Sequence, residues 1–145
     1  MSRGPEANFW NNLRQNLPEK CLATRIENVH GGGVPDVHIL WNGYPLWIEL
    51  KVAKSSRLFL RPHQVAFHMA YYARGGLSFF LAKALSTGDL HLFGGDQGPV
   101  LAQGPMSEAL GTRYGSAREM FLGLGPVVED HYRGLVGRSC GLSGV

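Results

Sequence analysis

Residues 33–54 read GVPDVHILWNGYPLWIELKVAK, and this stretch decides the fold. The pair Asn42-Gly43 near its middle is typical of a two-residue hairpin turn, because both turn positions favour a positive φ. The segment after the turn alternates apolar and polar residues, as half-buried strands do. The sequence therefore predicts an antiparallel hairpin whose strands occupy residues 35–41 and 44–53.

Counting along this hairpin brings two acidic residues together. If the turn pairs Trp41 with Tyr44, then Asp36 falls opposite Glu49. Alternation places Lys51 on the same face of the second strand as Glu49. The other face of that strand is apolar and is expected to lie against the core: Leu46, Ile48, Leu50 and Val52.

The predicted pairing of Asp36 with Glu49 is of the non-hydrogen-bonded kind, in which the Cα atoms lie about 4.5 Å apart. Two carboxylates at that separation repel each other, so one takes up a proton or a cation lies between them. A hard divalent ion such as Mg²⁺ or Mn²⁺ suits oxygen ligands best. In the alternative, Glu49 and Lys51 form a surface ion pair and Asp36 caps a turn. That alternative is less favoured, because charges on central, otherwise apolar strands are costly to bury without a purpose. A bulge near Pro45 would shift the register by one residue and weaken the pairing.

The rest of the chain is predicted from periodicity, prolines and glycines. A first helix starts near Pro5 and stops at Pro18, and a second starts at Pro62 and ends at the Gly75-Gly76 pair. Further strands are expected at residues 21–29, 77–85 and 89–93, and further helices at 116–122 and 127–135.

These elements indicate an α/β fold with a mixed central β-sheet flanked by helices. Residues 1–93 hold the core, in the order α-β-β-β-α-β. Residues 94–145 form a glycine-rich C-terminal extension, which is expected to pack on the core or to form a dimer interface. Together the two parts make a single domain, and 145 residues is an ordinary length for one domain.

Charge is distributed unevenly along the chain. The net charge is +3, and no acidic residue occurs between Glu49 and Asp89. A segment with one sign of charge suggests an anionic partner, of which nucleic acid is the commonest. The alternative for this segment is a solvated basic face without a partner. For His68, the alternative to a nucleic-acid contact is a half-exposed position on a helix surface. The candidate nucleic-acid contacts are Lys54, Ser55, Arg57, Arg61 and His68.

The sequence offers no sign of membrane insertion or export. No apolar run is long enough to span a bilayer, and the N-terminus MSRGPEANFW lacks the apolar core of a signal peptide. Cys21 and Cys140 lie far apart and show no metal-binding spacing. We therefore expect an intracellular, cytoplasmic protein with reduced thiols and no membrane partner. Its size would suit a phage protein that acts in the host cytoplasm.

At the hairpin the sequence resembles a known enzyme family. Pro35-Asp36 followed by Glu49-Leu50-Lys51 is similar to the P-D…(D/E)-x-K signature of the PD-(D/E)xK nuclease superfamily, whose core is restriction-endonuclease-like. The segments GGGVPD, WIELK and LRPHQ further resemble the VRR-NUC group and related Holliday junction resolvases. In that group a glutamine begins the helix after the lysine strand, and the matching residue here is Gln64. The resemblance covers roughly residues 6–83.

The resemblance implies a metal-dependent phosphodiesterase. Asp36, Glu49 and the backbone carbonyl of Leu50 would hold Mg²⁺ or Mn²⁺. Lys51 would orient or activate the attacking water and stabilise charge on the phosphate, with Gln64 near the site. Family members often complete the metal site with an acidic residue on the first helix, and Glu6 is the candidate here. Another interpretation accounts for Glu6 equally well, because the helix dipole favours an acidic residue at the N-terminus of a helix.

Structure-selective cutting of branched DNA, such as a Holliday junction, is the preferred interpretation of function. Symmetric cutting of both strands needs two sites, so a homodimer is expected. One alternative is a nuclease for linear or nicked duplex, as in restriction or repair. The other is a non-catalytic DNA-binding module with the same fold, against which the intact set of Asp36, Glu49 and Lys51 argues.

Overall fold

The computed structural model describes residues 4–27 and 33–143, with side chains described as far as residue 135. A six-stranded sheet with the strand order β1-β2-β3-β4-β5-β6 forms its centre. The β3–β4 pair is parallel and the other neighbouring pairs are antiparallel. The strands are β1 Cys21–Arg25, β2 Val37–Trp41, β3 Tyr44–Ala53, β4 Leu77–Ala84, β5 Leu90–Gly94 and β6 Gly111–Tyr114.

Helices cover both faces of the sheet. The α-helices are α1 Pro5–Gln15, α2 Pro62–Ala73, α3 Gly98–Gln103 and α4 Ala117–Ser143, and short 3₁₀ turns occupy Gly95–Gln97 and Met106–Glu108. The predicted α/β class, a mixed sheet flanked by helices, is confirmed, and so is the order α-β-β-β-α-β of the first six elements. In the part of the chain that the structure describes, no helix is both long and apolar enough to cross a bilayer.

The hairpin has the predicted turn and register. Asn42 and Gly43 adopt φ angles of 48° and 91°. Trp41 pairs with Tyr44, and the ladder continues without a bulge to the pair of Val37 and Ile48. The strand β2 thus begins at Val37 rather than at residue 35, and Asp36 occupies the next position beyond the ladder.

Two other boundaries differ from the prediction, one in β1 and one in the C-terminal helices. The strand β1 ends at Arg25 rather than at residue 29, and residues 28 and 29 lie outside the described part. The two helices expected at 116–122 and 127–135 are one continuous helix, α4, with Pro126 in its interior. Buried side chains on both sides of this proline hold the helix against the sheet despite the missing N–H. They include Met120, Leu124 and Val128.

Two hydrophobic cores lie on opposite faces of the sheet. The larger one joins α1 and α4 to the face that carries Ile48 and Leu50, so the predicted apolar face of β3 lies inside, with Val52 only partly buried. The smaller one includes Phe80 and Leu101 on the other face, where α2 and α3 pack. That second face also carries Glu49 and Lys51, because alternate residues of β3 point to opposite sides. The N-terminus of α2 therefore lies beside the charged residues of β3.

Candidate active site

Asp36 directly precedes β2, at the point where β3 extends beyond this partner strand and remains paired only with β4. Its carboxylate oxygen Oδ2 accepts a hydrogen bond from the backbone N–H of Leu50 at 2.8 Å. Its backbone carbonyl accepts one from the N–H of Ile26 at 2.7 Å. In a strand the N–H and C=O of one residue point to the same side, so the carbonyl of Leu50 also points towards the edge where Asp36 lies. The carboxylate and this carbonyl thus share one short section of sheet edge.

Glu49 is a buried acid, with only 3% of its surface exposed. The side-chain amide Nε2 of Gln64 donates a hydrogen bond to its Oε1 at 3.3 Å. Burial, together with a hydrogen bond to Asp36 and the negative charge of Asp36, raises the pKa of Glu49 to about 9. Lys51 opposes the rise in this pKa, whereas Glu6 adds to it. Without a cation, the pair of carboxyl groups therefore keeps a proton at neutral pH.

Gln64 connects the acid to the lysine. Its Oε1 accepts hydrogen bonds from Lys51 Nζ at 3.1 Å and from the backbone N–H of Arg61 at 3.0 Å. Gln64 stands at the third position of α2, so the bond from Arg61 also caps the first turn of this helix. One amide thus orients both Glu49 and Lys51 and ties them to the start of α2.

These groups line a cleft of about 390 Å³. Gly33 borders it with a φ of +81°, and a Cβ there would lie 2.5 Å from the backbone oxygen of His63. Glycine at this position therefore lets the segment before Asp36 approach the start of α2, and it closes one side of the cleft. The lining residues are Glu6, Gly33, Val34, Asp36, Glu49, Leu50, Lys51, Phe59, Arg61, His63 and Gln64.

The donor set fits a hard divalent cation. The carboxylates of Asp36 and Glu49 and the carbonyl of Leu50 supply only oxygen, which Mg²⁺ and Mn²⁺ prefer. The shared proton marks the place where a cation would relieve the repulsion between the two acids. Among residues 4–27 and 33–135, no three His, Cys, Asp or Glu side chains lie together as a ready metal cluster. A cation here would therefore depend on two carboxylates, one carbonyl and water.

The structure brings together the residues that the sequence singled out for catalysis. Asp36, Glu49, Lys51 and Gln64 lie in one hydrogen-bonded and electrostatic network, and the exposed Glu6 lines the same cleft from α1. The candidate nucleic-acid contacts between β3 and α2 are all exposed, and Arg61 also lines the cleft. They are Lys54, Ser55, Arg57 and Arg61.

His68 requires a correction. It was expected to contact nucleic acid, but it is 0% exposed, and its Nδ1 lies 2.8 Å from Ser78 Oγ. Its ring packs on Phe80 with the ring centroids 4.0 Å apart. Burial and, to a smaller extent, the charge of Lys51 lower the pKa of His68 to about 4. The residue is neutral and internal, because α2 turns this side towards β4.

Four residues of the cleft were not among the candidates predicted from the sequence: Gly33, Val34, Phe59 and His63. Gly33 and Val34 belong to the GGGVPD segment, so their place just before Pro35 and Asp36 was a usable signal. Phe59 carries a weaker signal, since it is an aromatic residue within a basic loop. His63 reaches the cleft only because α2 begins there, which is a property of the tertiary structure.

Comparison with known proteins gives a structural similarity. No protein-family model and no curated protein matches the chain. Among solved structures, the chain is similar to Hjc, a Holliday junction resolvase from the archaeal hyperthermophile Archaeoglobus fulgidus. The two share 21% sequence identity, with 63% of this chain and 75% of that chain covered and a TM-score of 0.47. A similarity of this degree does not establish function, which must be inferred from the side chains of the site.

Proposed function

We propose that the protein is a divalent-metal-dependent nuclease of the PD-(D/E)xK type that hydrolyses phosphodiester bonds in DNA. The observation that carries this proposal is the buried Glu49 beside the half-buried Asp36, with Gln64 joining Glu49 to Lys51. Two acids that keep a proton at neutral pH are costly for stability, so their place in an open cleft favours a catalytic purpose.

Asp36, Glu49 and the carbonyl of Leu50 are the proposed ligands for Mg²⁺ or Mn²⁺. Such an ion, when bound, polarises a phosphoryl oxygen and lowers the pKa of water. The Leu50 N–H holds the carboxylate of Asp36, and Gln64 holds that of Glu49, so both acids are oriented before substrate arrives. Glu6 lies on the rim of the same cleft and is proposed as an outer ligand.

Lys51 is the residue proposed to stabilise negative charge on the phosphate. Its ammonium donates to the neutral amide of Gln64, and the ion pairs found among the described residues do not include it. Its charge therefore remains available for a phosphate. A positive charge at this point stabilises the negative charge that gathers in the transition state, and it can orient the attacking water.

The loop from β3 to α2 is the proposed DNA contact. Lys54, Arg57 and Arg61 are exposed on it, and the backbone N–H of Arg57 donates to the hydroxyl of Ser55 at 3.4 Å. Cations in this position would bind phosphates and fix the strand without reading its sequence. Branched DNA is the substrate class implied by the sequence resemblance, and a homodimer is the assembly that symmetric cutting requires.

A cleavage assay tests the proposal. End-labelled four-way junction and matched linear duplex are each incubated with purified protein in Mg²⁺ or in EDTA, and light scattering reports the oligomeric state. Wild type is expected to cut the junction with Mg²⁺ only. Glu49→Gln should abolish cutting, whereas Glu19→Gln should not, because Glu19 is exposed near the opposite end of the hairpin. Cutting that survives in EDTA or in Glu49→Gln would refute the proposed site. Preferential cutting of the duplex would refute only the branched substrate.

A further inference from the structure

Phe59 is an exposed aromatic residue at the rim of the proposed active site. It is 77% exposed, although both of its neighbours pack inwards. Leu58 is buried in the core under α2 and α3, and Leu60 packs partly against it. These two anchors hold the backbone on the protein and leave the ring of Phe59 in solvent.

Phe59 lines two neighbouring clefts. The first is the cleft of the acid pair, of about 390 Å³, and the second has a volume of about 320 Å³. Both are lined by Glu6, Lys51 and Phe59, so these three residues form the border that the two clefts share. The second cleft is completed by Pro5, Val52 and Lys54.

A single exposed apolar side chain is common and by itself means little. Phe59 differs because its surroundings are cationic: Lys54, Arg57 and Arg61 are exposed on the same loop. A flat apolar ring among cations matches a ligand that combines flat rings with negative charge. A nucleotide strand has both, since its bases stack on aromatic side chains while its phosphates pair with cations.

We propose that Phe59 stacks on a nucleobase next to the scissile phosphate, so that the site favours DNA in which this base is already unpaired. This inference rests on the proposed nuclease function. Stacking on an aromatic side chain stabilises a bound base, whereas a base within a duplex must first be unstacked at a cost in free energy. The gain is therefore realised where a strand leaves a duplex, as at a flap or an open branch point.

The test compares affinities for two DNAs that differ in one feature. A duplex with a short single-stranded flap and a fully paired duplex of equal length are titrated with protein carrying Glu49→Gln, which leaves the DNA uncut. Phe59→Ala is expected to weaken flap binding by about 5- to 100-fold and to change duplex binding less than about twofold. Phe59→Trp should restore flap binding, but Phe59→Leu should not, because only the former keeps an aromatic face.

Leu122→Ala is the matched control, since Leu122 is 69% exposed on α4, which packs on the opposite face of the sheet. It should leave both affinities unchanged. Equal losses for flap and duplex in Phe59→Ala, or no loss for either, would overturn the stacking inference. Single-turnover cleavage with Mg²⁺ is measured in parallel without the Glu49 substitution. A four-way junction is included in these cleavage reactions. If none of the three DNAs is cut, the nuclease proposal fails, and the ratio of affinities still decides whether Phe59 stacks on a base.

Discussion

The backbone N–H of Leu50 donates a hydrogen bond to the carboxylate of Asp36, with 2.8 Å between the nitrogen and Oδ2. The last pair of the β2–β3 ladder joins Val37 to Ile48. Beyond this pair, the side chain of Asp36 takes the place of β2 as the hydrogen-bond partner of β3. The bond fixes one carboxylate beside Glu49, the residue next to Leu50 on β3. The proposed cation site is thus a local consequence of ending one strand of the hairpin before the other.

The acid pair predicts how the stability of the metal-free protein depends on pH. The pKa of Glu49 is raised to about 9, so the folded protein holds a proton that the unfolded chain releases. The stability that protonated Glu49 contributes is fully present below the pKa that this residue has in the unfolded chain. It is lost as the pH rises towards 9. The free energy of unfolding in urea should therefore fall between pH 7 and 9, by at most about 1.4 kcal/mol per pH unit.

Glu49→Gln should flatten this slope, and Asp36→Asn should reduce it by removing a charge that raises the pKa of Glu49. His68 does not interfere in this range, because its pKa is lowered to about 4 and its contribution is complete above pH 7. A slope that is unchanged in Glu49→Gln would show that another group is responsible. Added Mg²⁺ should stabilise the wild type more strongly at pH 8.5 than at pH 6.5, because binding must displace the shared proton.

Gln64 is predicted to combine a structural and a positioning function. Gln64→Met removes the hydrogen bonds to Glu49, Lys51 and the N–H of Arg61 without leaving a large cavity. The free energy of unfolding of this variant should be lower by about 1 kcal/mol. Single-turnover cleavage should slow about 10- to 100-fold, because a small displacement of catalytic groups has that effect.

The matched control is Gln97→Met. Gln97 also bonds a backbone N–H, that of Leu110, but near the far edge strand β6. Gln97→Met should lower the free energy of unfolding to a similar extent and leave the rate of cleavage unaffected. If both variants slow cleavage equally, the effect of Gln64 is a general consequence of lower stability.

Lys51 is predicted to act on the rate more than on binding. Lys51→Met removes a positive charge beside the acid pair and should slow cleavage at saturating DNA by 100-fold or more, in the range of a lost electrostatic group. Lys54→Met, on the exposed loop that follows β3, should instead raise the DNA concentration needed for half-maximal rate. Quench-flow rates across a series of DNA concentrations separate the two effects. A Lys51 variant with an unchanged saturated rate would contradict the proposed function of this residue.

The exposed arginines are predicted to carry the salt dependence of DNA binding. In a Glu49→Gln background, Arg57→Ala and Arg61→Ala should each lower the slope of log affinity against log salt by about 0.9, as expected for one lost phosphate contact. Fluorescence anisotropy at several salt concentrations measures the slope.

Two further variants keep this test specific. Arg133→Ala changes an exposed arginine that is paired with acids on α4, so the slope should not change. His68→Ala should lower the free energy of unfolding by about 2 kcal/mol or more, and it too should leave the slope unchanged, because His68 is buried. A lower slope in His68→Ala would contradict the internal position of this side chain.

The sequence by itself determined the hairpin and its acid pair. Asn42 and Gly43 specify their turn through local backbone preference, and a two-residue turn sets the register of both strands. Since alternation then assigns each side chain to a face, Asp36, Glu49 and Lys51 could be placed together without a structure. Proline and glycine likewise marked both ends of α2.

Only the tertiary structure decided what lies around that acid pair. His68 is one helical turn beyond Gln64 on the same stripe, yet Gln64 reaches the cleft and His68 is buried on Phe80. The continuity of α4 through Pro126 likewise depends on side chains that pack from distant strands. Burial of this kind arises from contacts between residues far apart in sequence, which local propensity and periodicity do not encode. Local rules therefore predicted which charged side chains lie together, and long-range packing decided which other side chains surround them.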